Sequence, residues 1–144
     1  MVDLVTTLFF RDEAPVSAPV VALADFLGTT NATAVRIEPA DDARALLPHL
    51  DRIALVEVAF PAFRDGRGYS SARILREAGY KGELRAEGDV LTDQVPLMVR
   101  CGFDSFAPRA PIDAEAVSRA LNRFPHVYQA AADANAPVWK HRHG

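Results

Sequence analysis

IALVEVAFPAFRDGRGYSSARILREAGYKGELRAEGDV, residues 53–90, decides the fold. Its first eight residues are apolar apart from Glu57, rich in valine, and read as a strand. A charged, glycine-containing connection follows. Then Ile74, Leu75 and Ala78 recur at helical spacing behind Ser70 or Ser71 as the expected N-cap, and Gly79 or Gly82 marks the exit. ELRAEG, residues 83–88, is the next strand. Two strands joined by a helix lie parallel, because only a crossover of that length returns the chain to the same end of the sheet.

The same rhythm extends outward in both directions. Upstream, TAVRIEP reads as a strand and DDARALL as a helix capped by Asp41 or Asp42 and ended by Pro48. Downstream, Asp93 is placed to cap a helix that carries Pro96 in its first turn and Val95, Met98 and Val99 on its apolar side. FDSFAP is a fourth strand, and Asp113 caps a last helix, AEAVSRALNRF. Residues 33–124 thus form a repeated strand-helix core within a single α/β domain, 1–144. Residues 1–32 are an N-terminal segment with a short strand near Leu4 to Phe10, and 125–144 are a tail whose basic end, VWKHRHG, reads as solvated.

Alternation within the strands refines the expectation. Val35 and Ile37 oppose Arg36 and Glu38; Leu84 and Ala86 oppose Arg85 and Glu87; Ala54, Val56 and Val58 oppose Glu57, which shares its face with Ile53 and Leu55. A parallel sheet covered by helices on both faces would be apolar throughout. One polar face points to helices on the other side only, as in half of a TIM-like barrel with charges toward the lumen. The alternative is an open flavodoxin-like sheet with its polar positions at strand ends. Four units cannot close a barrel, so either the N-terminal segment covers the polar face or two chains meet there.

Composition bounds the chemistry. With 144 residues, 49% apolar and 24% charged, the chain has the profile of an ordinary globular domain. A formal charge of -3 argues against a nucleic-acid partner. The lone Cys101 excludes a disulfide framework and a cysteine-held cluster within one chain, and its apolar setting reads as an inert buried thiol. His49, His126, His141 and His143 lack metal-ligand spacing on a shared helix, so no metal site is expected. The N-terminus lacks the pattern of a signal peptide and no apolar run is long enough for a membrane span, so a cytoplasmic protein without a membrane partner is expected.

Candidate binding residues gather after the second strand. In parallel strand-helix proteins, ligands collect at the C-terminal ends of the strands, and Phe60 to Tyr69 is the longest connection there. Arg64 and Arg67 supply forked donors, Gly66 and Gly68 permit close backbone approach, and a helix start at Ser70 offers free amides and hydroxyls. Asp65 and Tyr69 complete the stretch. A packing role competes with this reading: Asp65 pairs with an arginine while Phe60, Phe63 and Tyr69 pack on helices. DGRGYSS matches neither a dinucleotide fingerprint nor a P-loop. Asp89 ends the third strand, as a second candidate or a turn residue. Glu57 and Arg85 face one another across neighbouring strands, as a buried ion pair or as acid-base groups, with Glu87 on the same face.

The stretch FPAFRDGRGYSSARILREAGYKGELRAEGDVLTDQVPLMVRCGFDSF, residues 60–106, resembles the bacterial family called domain of unknown function 934. Its members read FPxFxDGRxYSxARxLR, then GYxGELRAxGDVxxDQ, then RxGFDxF. The resemblance implies a gene neighbourhood shared with assimilatory sulfite or nitrite reductase, and transfers no catalytic residue set and no cofactor. It leads to the expectation of an accessory protein of sulfite reduction, binding sulfite reductase, another sulfur-assimilation protein or a small oxyanion or phosphate at the strand tips. A small oxidoreductase binding a flavin, such as flavin mononucleotide, or another phosphate ligand is the first alternative. An oligomeric scaffold is the second, and a homodimer suits all three.

Overall fold

A computed structural model describes residues 4–28, 31–62, 66–123 and 140–142. Its centre is a seven-stranded, mostly parallel sheet in the order β3-β4-β5-β6-β7-β2-β9. The parallel members are β3 (Val21–Ala22), β4 (Ala34–Ile37), β5 (Leu55–Phe60), β6 (Glu83–Gly88) and β7 (Ser105–Pro108). Strand order therefore follows chain order from β3 to β7. β2 (Thr7–Phe9) pairs antiparallel with β7, and β9 (Lys140–Arg142) pairs antiparallel with β2. β1 (Leu4–Val5) and β8 (Ile112–Asp113) form a separate two-stranded patch.

The four expected units become five. Val21 and Ala22 form a short parallel strand, and α1 (Leu23–Leu27) leads from it to β4, so the N-terminal segment repeats the pattern of the core. The connection from β4 is a long 3-10 helix, Ala43–Arg52, whose N-cap Asp42 accepts from the Arg44 amide. Pro48 lies inside this helix instead of ending it. In a 3-10 helix each amide bonds three residues back, and a proline forfeits one such bond without stopping the turns that follow. The next strand consequently begins late: Ala54 is exposed, and Ile53 rather than Ala54 joins the core.

α2 (Arg67–Glu77), α3 (Val95–Cys101) and α4 (Ala114–Arg123) complete the helical layer. Val35, Ile37, Val56, Val58, Phe60, Leu84, Ala86 and Phe106 point from the sheet into one apolar cluster with Phe26, Leu46, Leu75, Met98 and Val117 from the helical side. Each large side chain buried there contributes roughly 2 kcal/mol. The helices therefore share one face of the sheet, as the alternation predicts. Asp113 caps α4 through the Glu115 amide, and Pro96 sits in the first turn of α3. Asp93 is not a cap; it is exposed in the turn Thr92–Gln94, where Gln94 Oε1 accepts from the Leu91 amide. The tail also differs from a solvated end, since residues 140–142 extend the sheet beyond β2.

The strand order dictates what covers the opposite face. β2 lies beside β7, β3 lies beside β4, and residues 10–20 must join them. Five inter-strand steps span about 24 Å, and eleven extended residues reach roughly 36 Å, so the link is long enough to cross the sheet in a single pass as a strap. It crosses on the polar side, where the Val16 amide donates to Glu83 Oε1 (2.8 Å) and the Val16 carbonyl accepts from Arg85 Nη2 (3.2 Å).

Candidate functional site

Register sorts the polar face into rows. Ala34, Leu55 and Glu83 form the lowest; Arg36, Glu57, Arg85 and Ser105 the next; Ala59, Glu87 and Ala107 the one nearest the C-terminal tips. In the middle row, Glu57 is held between two arginines: Arg36 Nη1 donates to Oε1 at 2.6 Å and Arg85 Nη1 to Oε2 at 3.4 Å. Arg36 also reaches Glu38 (2.6 Å) and Glu87 (2.9 Å), while Arg85 reaches Glu83 (3.0 Å) and Ser105 (3.3 Å). Burial works against the charge on Arg36, yet its bonds to Glu38, Glu87 and Glu57 raise its pKa further above the usual range. The face is thus an internally satisfied ion network. Glu57, Arg85 and Glu87 are brought together here, joined by Arg36, Glu38 and Glu83, whose strand alternation already carried the signal.

A second network closes the N-terminal ends of the strands. Asp104 accepts from Arg11 Nη1 (2.7 Å), Arg76 Nη2 (2.9 Å) and the Leu84 amide (2.9 Å). Arg76 further binds the carbonyls of Tyr80, Gly82 and Gly102. Burial raises the Asp104 carboxyl pKa, opposed by Arg76, the Leu84 amide and Arg11. Burial likewise raises the Tyr80 hydroxyl, which donates to the Glu83 carbonyl at 3.0 Å. Arg76, Gly82 and Asp104 of the signature are therefore structural ties.

The C-terminal tips hold the remaining candidates. α2 begins at Arg67 with Gly66 in the N-cap position, so Ser70 and Ser71 lie inside the helix and cap nothing. The earlier start has a packing cause. Gly68 is buried, and a Cβ there would overlap the Phe60 ring at the end of β5, so the helix sits against that ring from its first turn. Phe60 makes edge contacts with Tyr69 (5.6 Å) and Phe103 (5.7 Å), as the packing alternative for Phe60 and Tyr69 requires. Gly88 has a φ of +111° beside the Phe60 carbonyl, which accepts from the Asp89 amide at 2.7 Å. The half-buried Asp89 is thereby placed at the tip of β6. Phe63, Arg64 and Asp65 lie outside the described residues.

One tip residue was not singled out from the sequence. Arg109 follows β7 directly; its amide donates to the Gly88 carbonyl (2.6 Å) and its Nη2 to the Pro61 carbonyl (3.2 Å). Its exposed guanidinium therefore leans across the tips toward the β5 to α2 connection. Its only sequence signal was its position just past a strand end. Cys101 is half-buried and not fully buried as expected, and its partial burial raises the pKa of the thiol, as burial also raises that of Tyr69.

An open depression of about 430 Å³ lies elsewhere, between the Thr92–Asp93 turn and Ala116, Arg119 and Asn122 of α4. Among the described residues, no group of three or more His, Cys, Asp or Glu is placed to hold a metal, and no helix is long and apolar enough to cross a membrane.

Residues 34–139 match the family described as "Bacterial protein of unknown function (DUF934)". The chain belongs to this family. No curated protein and no solved structure matches it significantly. Within the DUF934 signature, the string GELRA supplies Glu83 and Arg85 to the ion network and Leu84 and Ala86 to the core, which explains its mixed composition.

Proposed function

We propose that this DUF934 protein is a binding accessory of assimilatory sulfite reduction, engaging sulfite reductase or a small oxyanion at the C-terminal tips of β5, β6 and β7. One observation carries the reading: Arg109 is an exposed cation at the tips, outside the ion network in which the charges of the sheet face are spent on one another. The exposed guanidinium of Arg109 stands beside Pro61, at the head of the connection into α2. The N-terminal end of α2, at Gly66 and Arg67, lies on the same side, and the positive end of a helix dipole favours negative charge. The gene neighbourhood implied by the family supplies the choice of partner. The sequential order of β3 to β7 supports the half-barrel-like arrangement, in which the tips form one continuous rim. A homodimer is part of the same proposal.

The test is affinity purification of tagged wild-type and Arg109→Ala protein from cells grown on sulfate as sole sulfur source. Recovery of sulfite reductase with the wild type, and at least about tenfold less with the variant, supports the reading. Equal recovery, or none with either, sinks it. The satisfied ion network favours a scaffold as the second reading, under which tip variants leave growth on sulfate unchanged.

A further inference from the structure

We propose that the strap of residues 12–20 is a releasable latch, which lifts off the polar face while the sheet beneath stays folded. Two features of the structure support separate opening. The strap's outer side, Asp12, Glu13, Ala14, Ser17 and Pro19, is exposed, and Pro15 and Pro19 stiffen it between its anchor at Arg11 and its continuation in β3. Midway, it is held through both backbone groups of Val16, to Glu83 and Arg85.

The groups it covers do not depend on it for their charge balance. Glu83, 2% exposed, keeps Arg85 at 3.0 Å, and Arg85 keeps Glu57 and Ser105. Lifting the strap therefore leaves no buried ion without a partner, and water replaces the two lost backbone bonds. Arg11 remains tied to Asp104 and to the Gly82 and Lys81 carbonyls, so the opening has a fixed hinge. The open form presents Glu83, Arg85 and Ser105 along the face of an intact parallel sheet. The latch thus controls access to a preformed row of charges, independently of the strand tips.

Native-state hydrogen exchange on the full chain tests this. The Val16 amide is expected to exchange at least about a hundredfold faster than the Val56 and Leu84 amides, with a weaker dependence on denaturant, because its opening uncovers the strap and one row of the sheet, including Ala34 and Leu55, and leaves the core on the other face closed. Glu83→Gln is expected to speed Val16 exchange by a further factor of about ten, through loss of the charged acceptor, without a matching change at Val56. Exchange of Val16 at the rate of the core strands, with the same denaturant dependence, overturns the latch. If the variant does not fold, the wild-type comparison alone decides.

Discussion

Asp104→Ala tests the tie at the strand N-termini. The carboxylate sits between two arginines, with 18% of its own side chain exposed and 18% and 23% of those of Arg11 and Arg76. Truncation removes three charge-assisted acceptor contacts, including that of the Leu84 amide at the start of β6. Breaking a buried pair by deleting one partner costs about 3–5 kcal/mol. Here the arginines keep the carbonyls of Lys81, Gly82, Tyr80 and Gly102, which retains part of their solvation. The expected loss is therefore about 2–4 kcal/mol. At about 2–4 °C per kcal/mol for a chain near this size, a 3 kcal/mol loss lowers Tm by roughly 6–12 °C. Urea unfolding, followed by circular dichroism, should show a lower midpoint with an unchanged slope. Asp104→Asn keeps an acceptor for Leu84 and should fall between wild type and Asp104→Ala. A loss below about 1 kcal/mol for Asp104→Ala, within the ordinary range for a surface change, refutes the tie.

Other substitutions separate packing from charge. Gly68→Ala should cost about 1–3 kcal/mol in urea unfolding through overlap with Phe60, whereas Gly66→Ala, with open space around the new methyl, should cost only the glycine-to-alanine difference at an N-cap, below about 1 kcal/mol. Glu57→Gln should destabilise by about 1–3 kcal/mol, because Arg36 and Arg85 then share a neutral neighbour; Glu38→Gln, on a half-exposed residue, should change stability by less than about 1 kcal/mol. Tyr80 gives a pH signature. Its folded pKa lies above the ordinary 10.0, so the folded state holds the proton more tightly than the unfolded chain. The stability is complete below pH 10 and is lost as pH rises beyond it, and Tyr80→Phe should flatten that decline in unfolding curves.

Much of this organisation was legible because the sheet is one-sided. Alternation in β4 and β6 announced a polar face, and the register places Glu57 against Arg85 as the strand pattern implied. Three features were not legible for physical reasons. The start of α2 depends on Gly68 meeting Phe60, a tertiary contact that outweighs the serines as local capping signals. The 3-10 geometry that carries Pro48 has no strong sequence signature. That the N-terminal segment covers the polar face was one of two alternatives the sequence left open; the choice follows from β2 and β3 lying at opposite sides of the parallel strands, which is a property of topology and not of residues 10–20 themselves. Arg109 gains its position from the same topology, since its neighbours Gly88 and Pro61 are distant in sequence.

Amide mapping by NMR during titration with sulfite reductase tests the central claim most directly. Perturbation concentrated at Gly66, Arg67, Gly68, Asp89 and Arg109, with Glu57 and Arg85 unmoved, is the expected result. Perturbation confined to the polar face, or none at saturating partner, contradicts binding at the strand tips.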